Sequence, residues 1–176
     1  TCFRNEFGKE NRKSSKTYKF RIEFEKTFSV KSNHTPDPFR KFLLNKVPEL
    51  YYWGKNKPFY EQELMEKEIK KKDSVYQWRR IYFRRNKKHV CPTLTANMGS
   101  GGHNVPIIKT YSRYRKFTPR ECFNLQGFPS STAPNKYSYG KDFILPARIS
   151  NTQLYKQAGN SVTVPLIRKF AQIIKN

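Results

Sequence analysis

The stretch of sequence that decides the fold is FTPRECFNLQGFP, at residues 117–129. It carries three signals for the start of a helix, because Thr118 can cap the helix, Pro119 fits its first position and Glu121 can complete a capping box. Gly127 suits the residue just beyond the helix, where the backbone often becomes left-handed. The proline two residues later prevents continuation. The sequence therefore predicts a short helix that runs from Pro119 to about residue 126.

A second ordered segment follows toward the C-terminus. Residues 130–152 are typical of a loop, and the sequence YKQAGNSV at 155–162 then leads into a last helix. We expect Asn160 or Ser161 to cap this helix and Pro165 to lie in its first turn. The apolar side chains of the helix recur at helical spacing, at Val164, Ile167, Phe170, Ala171 and Ile174.

The segments before residue 117 show shorter patterns. Alternation of apolar and charged residues over 18–25 predicts a strand, residues 39–44 predict a short helix, and residues 59–72 predict an exposed, charge-rich helix. The sequence YQWRRIYFRR at 76–85 alternates aromatic residues with arginines and predicts one strand with a basic face. Two interpretations of its arginines stay open, since they either contact phosphates and bases or are solvated groups on an edge strand. These residues are Arg79, Arg80, Arg84 and Arg85.

A short Thr-rich strand is expected at residues 91–96, followed by a glycine-rich loop. Glycine permits positive φ and a close approach of the backbone to a ligand, here at Gly99, Gly101 and Gly102. The loop lacks the Gly-Lys-Ser/Thr of a P-loop and the GxGxxG of dinucleotide-binding turns. By itself it indicates either phosphate contact through its N–H groups or a plain flexible hairpin.

Composition restricts the partners of the chain. Its 176 residues include 36 Lys and Arg against 13 Asp and Glu, a formal net charge of +23. This excess of positive charge repels itself unless a polyanion neutralises it, so DNA, RNA and anionic membrane surfaces are the candidates. Aromatic residues make up 15% of the chain, which argues against a disordered tail and favours nucleic acid over membrane. No apolar run is long enough for a transmembrane helix or a signal peptide.

The cysteine and histidine patterns disfavour several classes of small domain. Cys2, Cys91 and Cys122 form no CxxC pair and have no histidine at ligand spacing. A disulfide scaffold and a zinc finger are therefore not expected, no metal site is expected, and the composition fits a reducing cytoplasm. The first residue, Thr1, is compatible with a fragment of a longer protein.

Two of these segments closely resemble conserved motifs of the DNA cytosine-5 methyltransferases. Residues 117–129 resemble the ninth motif of that family and residues 155–162 resemble the tenth, in the family's order. The sequence PTLTA at 92–96, with the glycines after it, looks like the end of a target-recognition domain. Residues 2–5 look like the end of the eighth motif.

The ninth motif departs from the family pattern in two small ways. Phe117 stands for the usual leucine and Asn124 for the usual arginine. Its helix would brace the recognition domain against the core, so Arg120 and Glu121 are expected to be structural rather than catalytic. The family's upstream motifs do not occur in this sequence. They are a glycine-rich turn for S-adenosylmethionine, a Pro-Cys dipeptide with the nucleophile, a Glu-Asn-Val triplet and a Gln-x-Arg-x-Arg segment.

The resemblance implies an α+β fold. A small mixed, mainly β target-recognition domain would carry C-terminal helices that complete a Rossmann-like methyltransferase core supplied elsewhere. Residues 1–25 would leave the catalytic core, residues 26–129 would form the target-recognition domain with the ninth-motif helix, residues 130–152 would be a variable loop, and residues 153–176 would return to the core.

The resemblance also implies the chemistry. The family transfers methyl from S-adenosylmethionine to carbon 5 of cytosine in a specific duplex sequence, after a thiolate adds to carbon 6 and the base rotates out of the duplex. The nucleophile would lie elsewhere, so no catalytic residue is expected in this chain. We expect the DNA-recognition part of such an enzyme, from a restriction-modification system of the bacterial cytoplasm. It would need its catalytic half, either as a fragment or as a separate subunit.

Carried over residue by residue, the resemblance gives the remaining roles. Thr93 and Thr95 would meet the DNA backbone near the flipped cytosine, and the three glycines of the loop would let it approach the groove. Asn160, Ser161 and Val162 would complete the cofactor pocket. Helix capping is the plain alternative for Asn160 and Ser161.

Two other functions stay open. A non-catalytic DNA-binding module with the same fold would bind duplex DNA without a partner and without a response to cofactor analogues. A basic ribonucleoprotein component is favoured only by charge and aromatic content. Competition between duplex DNA and RNA of equal length separates it from the DNA-binding functions.

Overall fold

The computed structural model describes residues 38–54, 59–79, 81–86, 89–98, 104–111, 113–131 and 142–175, without the side chains of residues 59 and 60. The chain divides into two compact units. The larger unit comprises residues 35–167, and the smaller one combines residues 1–34 with residues 168–176. The strand predicted at 18–25 and the segment at 2–5 lie outside the described residues.

The larger unit is built on a four-stranded antiparallel sheet. Its strands are β1 (Val75–Arg79), β2 (Tyr82–Arg85), β3 (Pro106–Lys109) and β4 (Tyr114–Lys116), in the order β2-β1-β3-β4. With the helices described below, this confirms the predicted mixture of α and β structure. The order places the β1–β2 hairpin at one edge of the sheet.

The prediction of a single strand over residues 76–85 was wrong. Arg79 pairs with Tyr82 across a two-residue connection, and the N–H of Ile81 donates to the carbonyl of Arg79 at 2.6 Å. Two-residue hairpin loops usually contain Asn or Gly, which tolerate positive φ. The connection here carries neither, so the turn has no local signal in the sequence.

The two faces of the sheet pack against different layers. Tyr76, Trp78 and Ile107 form one apolar cluster with Met65 and Ile69. Met65 lies in α1, which runs Phe59–Glu68 and so ends four residues before the predicted limit, and Ile69 directly follows it. A hydrogen bond joins the last residue of α1 to β2, because the N–H of Phe83 donates to Glu68 Oε2 at 2.5 Å.

The other face carries the larger core. Val75 and Ile108 pack there with Phe39, Phe117 and Phe123. Phe39 begins a 3-10 helix, Phe39–Phe42, which is shorter than the helix predicted at 39–44. A second 3-10 helix follows at Glu49–Tyr51. These short helices hold the start of the described chain against the sheet.

Helix α2 (Pro119–Leu125) confirms the signals in its sequence. The Thr118 hydroxyl accepts from the N–H of Glu121 at 3.1 Å, and Glu121 Oε2 accepts from the N–H of Thr118 at 2.7 Å. Gly127 has a φ of 85°, the left-handed conformation expected just beyond a helix. A Cβ there would lie 2.5 Å from Pro165 Cδ, so the site also requires glycine because of the packing.

A buried ion pair joins three segments of the larger unit. The Arg115 guanidinium on β4 donates to both oxygens of Glu121 on α2, at 2.8 and 2.9 Å. Glu121 Oε1 also accepts from the N–H of Leu44, at 2.9 Å. The side chains of Arg115 and Glu121 are 4% and 0% exposed. The expectation that Glu121 is a structural residue is consistent with this position.

Two helices complete the described chain. Helix α3 runs Asn151–Asn160 and α4 runs Val164–Lys175. Ser150 caps α3, since its hydroxyl accepts from the N–H of Gln153 at 3.3 Å. The expectation that Asn160 or Ser161 caps the last helix was wrong: Asn160 ends α3 and Ser161 follows it. The prediction that Pro165 lies in the first turn of the last helix is confirmed.

Within the described ranges, no helix is long and apolar enough to cross a membrane.

Candidate nucleic-acid interface

A polar cleft of about 320 Å³ opens beside the β1–β2 hairpin. One side consists of strand residues and the other of the segment that follows Cys91. We use the name polar cleft for the space lined by Gln77, Arg79, Arg84, Asn86, Cys91, Pro92, Thr93, Thr95, Asn97 and Asn104.

The strand side of the cleft follows from the period of two along β1. Val75, Gln77 and Arg79 lie on one face of the strand, and their exposure increases from 0% at Val75 to an exposed Arg79. Arg84 is the cross-strand partner of Gln77, so the two side chains are neighbours on this face. The same sheet face is therefore apolar in the core and polar near the hairpin.

The other side of the cleft is the segment at 91–95. It forms no strand in the described structure, so the Thr-rich strand predicted at 91–96 was wrong. A turn follows it, in which the N–H of Met98 donates to the carbonyl of Thr95 at 3.0 Å and the Thr95 hydroxyl bonds Asn97 Oδ1 at 2.6 Å. Met98 is fully buried and anchors this turn in the larger core.

Gly159 fixes the position of Thr95. A Cβ on Gly159 would lie 2.2 Å from the carbonyl carbon and oxygen of Thr95 and 2.6 Å from the nitrogen of Ala96. Real Cβ atoms do not approach other atoms so closely. Only glycine therefore lets the end of α3 pack directly on the backbone at 95–96.

A second hollow, of about 520 Å³, is also bordered by the segment at 91–94 and shares Cys91, Pro92 and Thr93 with the polar cleft. Ser161, Val162 and Thr163, which connect α3 to α4, contribute to its lining. The connection is held by Gln126, whose Nε2 donates to the carbonyl of Ala158 at 3.1 Å and whose Oε1 bonds the Thr163 hydroxyl at 2.8 Å. We call this space the connection hollow. Its lining is Cys91, Pro92, Thr93, Leu94, Leu125, Gln126, Gly159, Ser161, Val162, Thr163 and Leu166.

Of the two described cysteines, Cys122 is buried and Cys91 is partly exposed. Burial raises the pKa of Cys91 to about 12, and burial also raises the pKa of Cys122 well above its ordinary value. The thiolate is the reactive form of cysteine. Both groups are therefore neutral and unreactive at neutral pH.

The structure brings together four of the residues predicted to bind DNA. Arg79 and Arg84 line the polar cleft together with Thr93 and Thr95. Arg85 does not line this cleft, and its Nε donates to the hydroxyl of Ser74 at 3.1 Å. Four other predicted residues lie outside the described part of the chain, namely Arg80, Gly99, Gly101 and Gly102.

Only two of the three residues predicted to bind the cofactor line the connection hollow. Ser161 and Val162 line the connection hollow, whereas Asn160 is exposed and is not among its lining residues. The Ser161 hydroxyl donates to the carbonyl of Ala158 at 2.8 Å, at the C-terminal end of α3 and not at the start of the last helix, where capping was expected. Val162 is 55% exposed.

Sequence reasoning missed four polar residues of the cleft. These are Gln77, Asn86, Asn97 and Asn104. Their relevance depends on the hairpin, which brings Arg84 opposite Gln77. An alternation of glutamine with aromatic residues in a strand gives no indication of a ligand site.

Comparison of the sequence with known proteins identifies its family. The family model for C-5 cytosine-specific DNA methylases matches residues 3–176. The chain belongs to this family. Within the described residues of this methylase chain, no group of three His, Cys, Asp or Glu side chains could hold a metal ion.

Several bacterial and phage methyltransferases are similar to this chain. The type II methyltransferase M.Bsp6I of Bacillus sp. strain RFL6 is 50% identical over 132 residues, which is 75% of this chain and 38% of that protein. The type II methyltransferase M.SsoII of Shigella sonnei is 44% identical over 82 residues, 47% of this chain and 18% of that protein. The orphan methyltransferase M.SPBetaI of Bacillus phage SPbeta is 38% identical over 91 residues, 51% and 18% of the two chains. The chain thus spans well under half the length of these relatives.

Proposed function

We propose that this chain is the DNA-recognition part of a DNA (cytosine-5-)-methyltransferase that modifies a specific duplex sequence. The observation that carries the proposal is that one short segment, residues 91–93, contributes to the lining of both the basic polar cleft and the connection hollow. A base-modifying enzyme needs DNA contacts and a cofactor site close together, because the base moves from one to the other.

The polar cleft supports the DNA-binding part of the proposal. Arg79 and Arg84 provide charge, while Thr93, Thr95 and the asparagines provide hydrogen-bonding groups. Hydroxyls and guanidinium groups are typical contacts to phosphate oxygens. A net charge of +23 adds attraction that does not depend on sequence. The glycines at 99, 101 and 102 remain candidates for groove contact.

The connection hollow fits a limited part of an S-adenosylmethionine site. Leu94, Val162 and Leu166 give it apolar walls, and Ser161 and Thr163 give it hydroxyls. Such a mixture suits an amphipathic ligand edge but provides no complete enclosure. We assign Ser161 and Val162, with Asn160 beside them, to hold one edge of the cofactor, which supplies the methyl group when bound.

The remainder of the enzyme would come from a catalytic half that contains the nucleophile and a Rossmann-like core. In this proposal residues 1–25 leave that core, residues 26–129 recognise DNA, residues 130–152 form a variable segment whose last two residues begin α3, and residues 153–176 return to the core. The type II names of M.Bsp6I and M.SsoII support a restriction-modification system. A DNA-modifying enzyme of this kind would work in the bacterial cytoplasm, as a fragment of a longer chain or as a separate subunit.

A methylation assay tests the proposal. The chain is produced with a catalytic half of the family, for instance the part of M.Bsp6I that its match does not cover, and is supplied with duplex DNA and labelled S-adenosylmethionine. We expect labelled DNA only when both parts are present. Labelling by this chain alone would refute the need for a catalytic half. DNA binding that never yields methylation would favour the non-catalytic module instead.

A salt series tests the cleft separately. Each phosphate neutralised contributes about −0.9 to the slope of log affinity against log salt concentration. Replacing both Arg79 and Arg84 by alanine should therefore flatten the slope if the two guanidinium groups contact phosphate. An unchanged slope and affinity would show that both residues are solvated surface groups that do not contact DNA.

A further inference from the structure

Gln77 is a buried polar side chain that faces a ligand-sized space. The residue is 3% exposed and lies among the lining of the polar cleft. Among the residues that the structure describes, none is seen to form a hydrogen bond with its amide. The buried side-chain polar atoms that lack a partner in the described residues belong to Arg120 and Asn124, so the Gln77 amide is not one of them and is open to the space of the cleft. An open amide in a cleft that two arginines also line can bond a ligand that enters it, through one carbonyl oxygen and two N–H donors.

The neighbours of Gln77 narrow the chemistry of that ligand. Arg84 lies directly opposite on β2, and Arg79 is the next residue along the same face of β1. Both arginines are exposed, so they form the rim of the cleft while Gln77 lies on its floor. Glutamine amides bond adenine N6 and N7, and arginine bonds guanine O6 and N7, in paired geometry.

We propose that the polar cleft takes the edge of a base in the recognition sequence and that Gln77 is a specificity-determining residue of the enzyme. The inference rests on the proposed function and deepens it, since it separates base contact from phosphate contact within the cleft. Gln77 and Arg84 select the base, whereas Thr93 and Thr95 of the same cleft hold the backbone. Without Gln77, the charged side chains would still bind DNA, but they would not discriminate between base pairs at this position.

The test uses the chain together with its catalytic half and a pool of duplexes with randomised sequence. Methylated positions are identified by bisulfite sequencing, which gives the preference at every position around the modified cytosine. In the Gln77→Met variant, which keeps the length of the side chain and removes the amide, we expect discrimination to fall at one base pair. A paired side-chain contact to a base gives about 5- to 150-fold discrimination, so this is the size of the loss. Discrimination at the other positions stays as in the wild type.

Control variants make the result specific. Gln153→Met introduces the same change at an exposed residue in the first turn of α3 and should keep every preference. Arg84→Ala changes an exposed residue on which folding does not depend. The variant should lower the discrimination at the same base pair or at its immediate neighbour. This second variant decides the question if Gln77→Met does not fold.

The outcomes separate this inference from the function on which it rests. If the wild-type complex methylates no duplex in the pool, the proposed function fails. If the wild-type complex methylates a defined sequence and both Gln77→Met and Arg84→Ala retain every preference, the function stands and the role of Gln77 is refuted. A uniform loss of methylation across all sequences, with the preferences unchanged, also refutes it.

Discussion

The buried carboxylate of Glu121 is the group whose removal we expect to destabilise the chain most. The test is Glu121→Gln, which keeps the shape of the side chain and removes its charge. The two oxygens of Glu121 accept four hydrogen bonds, two from Arg115 and one each from the N–H groups of Thr118 and Leu44. An amide has one oxygen and one N–H₂ group. Whichever way it is oriented, two of the four donors therefore face another donor.

The magnitude follows from what is left behind. Arg115 would keep its charge in a site where its side chain is 4% exposed, without a counter-charge. Breaking a buried ion pair from one side costs about 3–5 kcal/mol. The total stability of a domain is about 5–15 kcal/mol, so the loss is a large part of it. With a urea m-value of about 2 kcal/mol/M, the unfolding midpoint would fall by about 1.5–2.5 M.

Urea unfolding followed by circular dichroism measures this effect. The matched control is Glu49→Gln, because Glu49 also pairs with an arginine, Arg113, but at an exposed site. Exposed pairs of this kind often contribute nothing measurable, so the control midpoint should stay with that of the wild type. If Glu121→Gln shifts the midpoint no more than the control, the argument that the buried pair joins three segments is refuted.

Three further predictions concern other sites. Gly159→Ala should lower the melting temperature, because overpacking against Thr95 costs about 1–3 kcal/mol and exceeds the gain of up to about 1 kcal/mol in helix propensity. The control Gly54→Ala should leave the melting temperature unchanged, because no atom lies within 4 Å of the new Cβ. Equal melting temperatures for these two variants would contradict the packing argument. Thr118→Ala should cost about 0.5–2 kcal/mol in urea unfolding through loss of the helix cap, and a cost that Thr118→Ser fails to recover would rule out the cap as its cause. The Cys91 thiol should react slowly with iodoacetamide at pH 8, since its pKa is raised to about 12, and the stability due to its neutral form should be lost as pH increases from about 9 to about 12. Rapid labelling at Cys91 itself, located by peptide mapping of the folded chain at pH 8, would contradict the raised pKa.

Helix α2 was predictable because all of its determinants are local. Thr118 and Glu121 form the capping box within four residues, and Gly127 takes the left-handed conformation directly after the helix. Helix α3 has a similar signal, because Ser150 is followed three residues later by Gln153. The motif at 155–162 instead predicted one helix that begins near residue 160, whereas the structure has α3 before it and α4 after it.

The hairpin and the cleft were not predictable, for a different reason. The turn between Arg79 and Tyr82 has no residue that favours it locally, so its position depends on burying Trp78 and Phe83 together on one side of the sheet. The cleft then depends on the hairpin. Gln77 became a candidate only when the structure showed it buried with an open space beside it.

The close approach of Gly159 to Thr95 restricts how this protein can be re-engineered. Chimeric enzymes are often designed by exchanging a recognition segment between relatives as an independent cassette. Here the backbone at 95–96 and the end of α3 interlock without an intervening side chain. A donor segment whose backbone deviates at this point by even part of an ångström would meet the helix directly. A transplant would therefore have to carry α3 with it, so the smallest exchangeable cassette extends at least from the hairpin to residue 160.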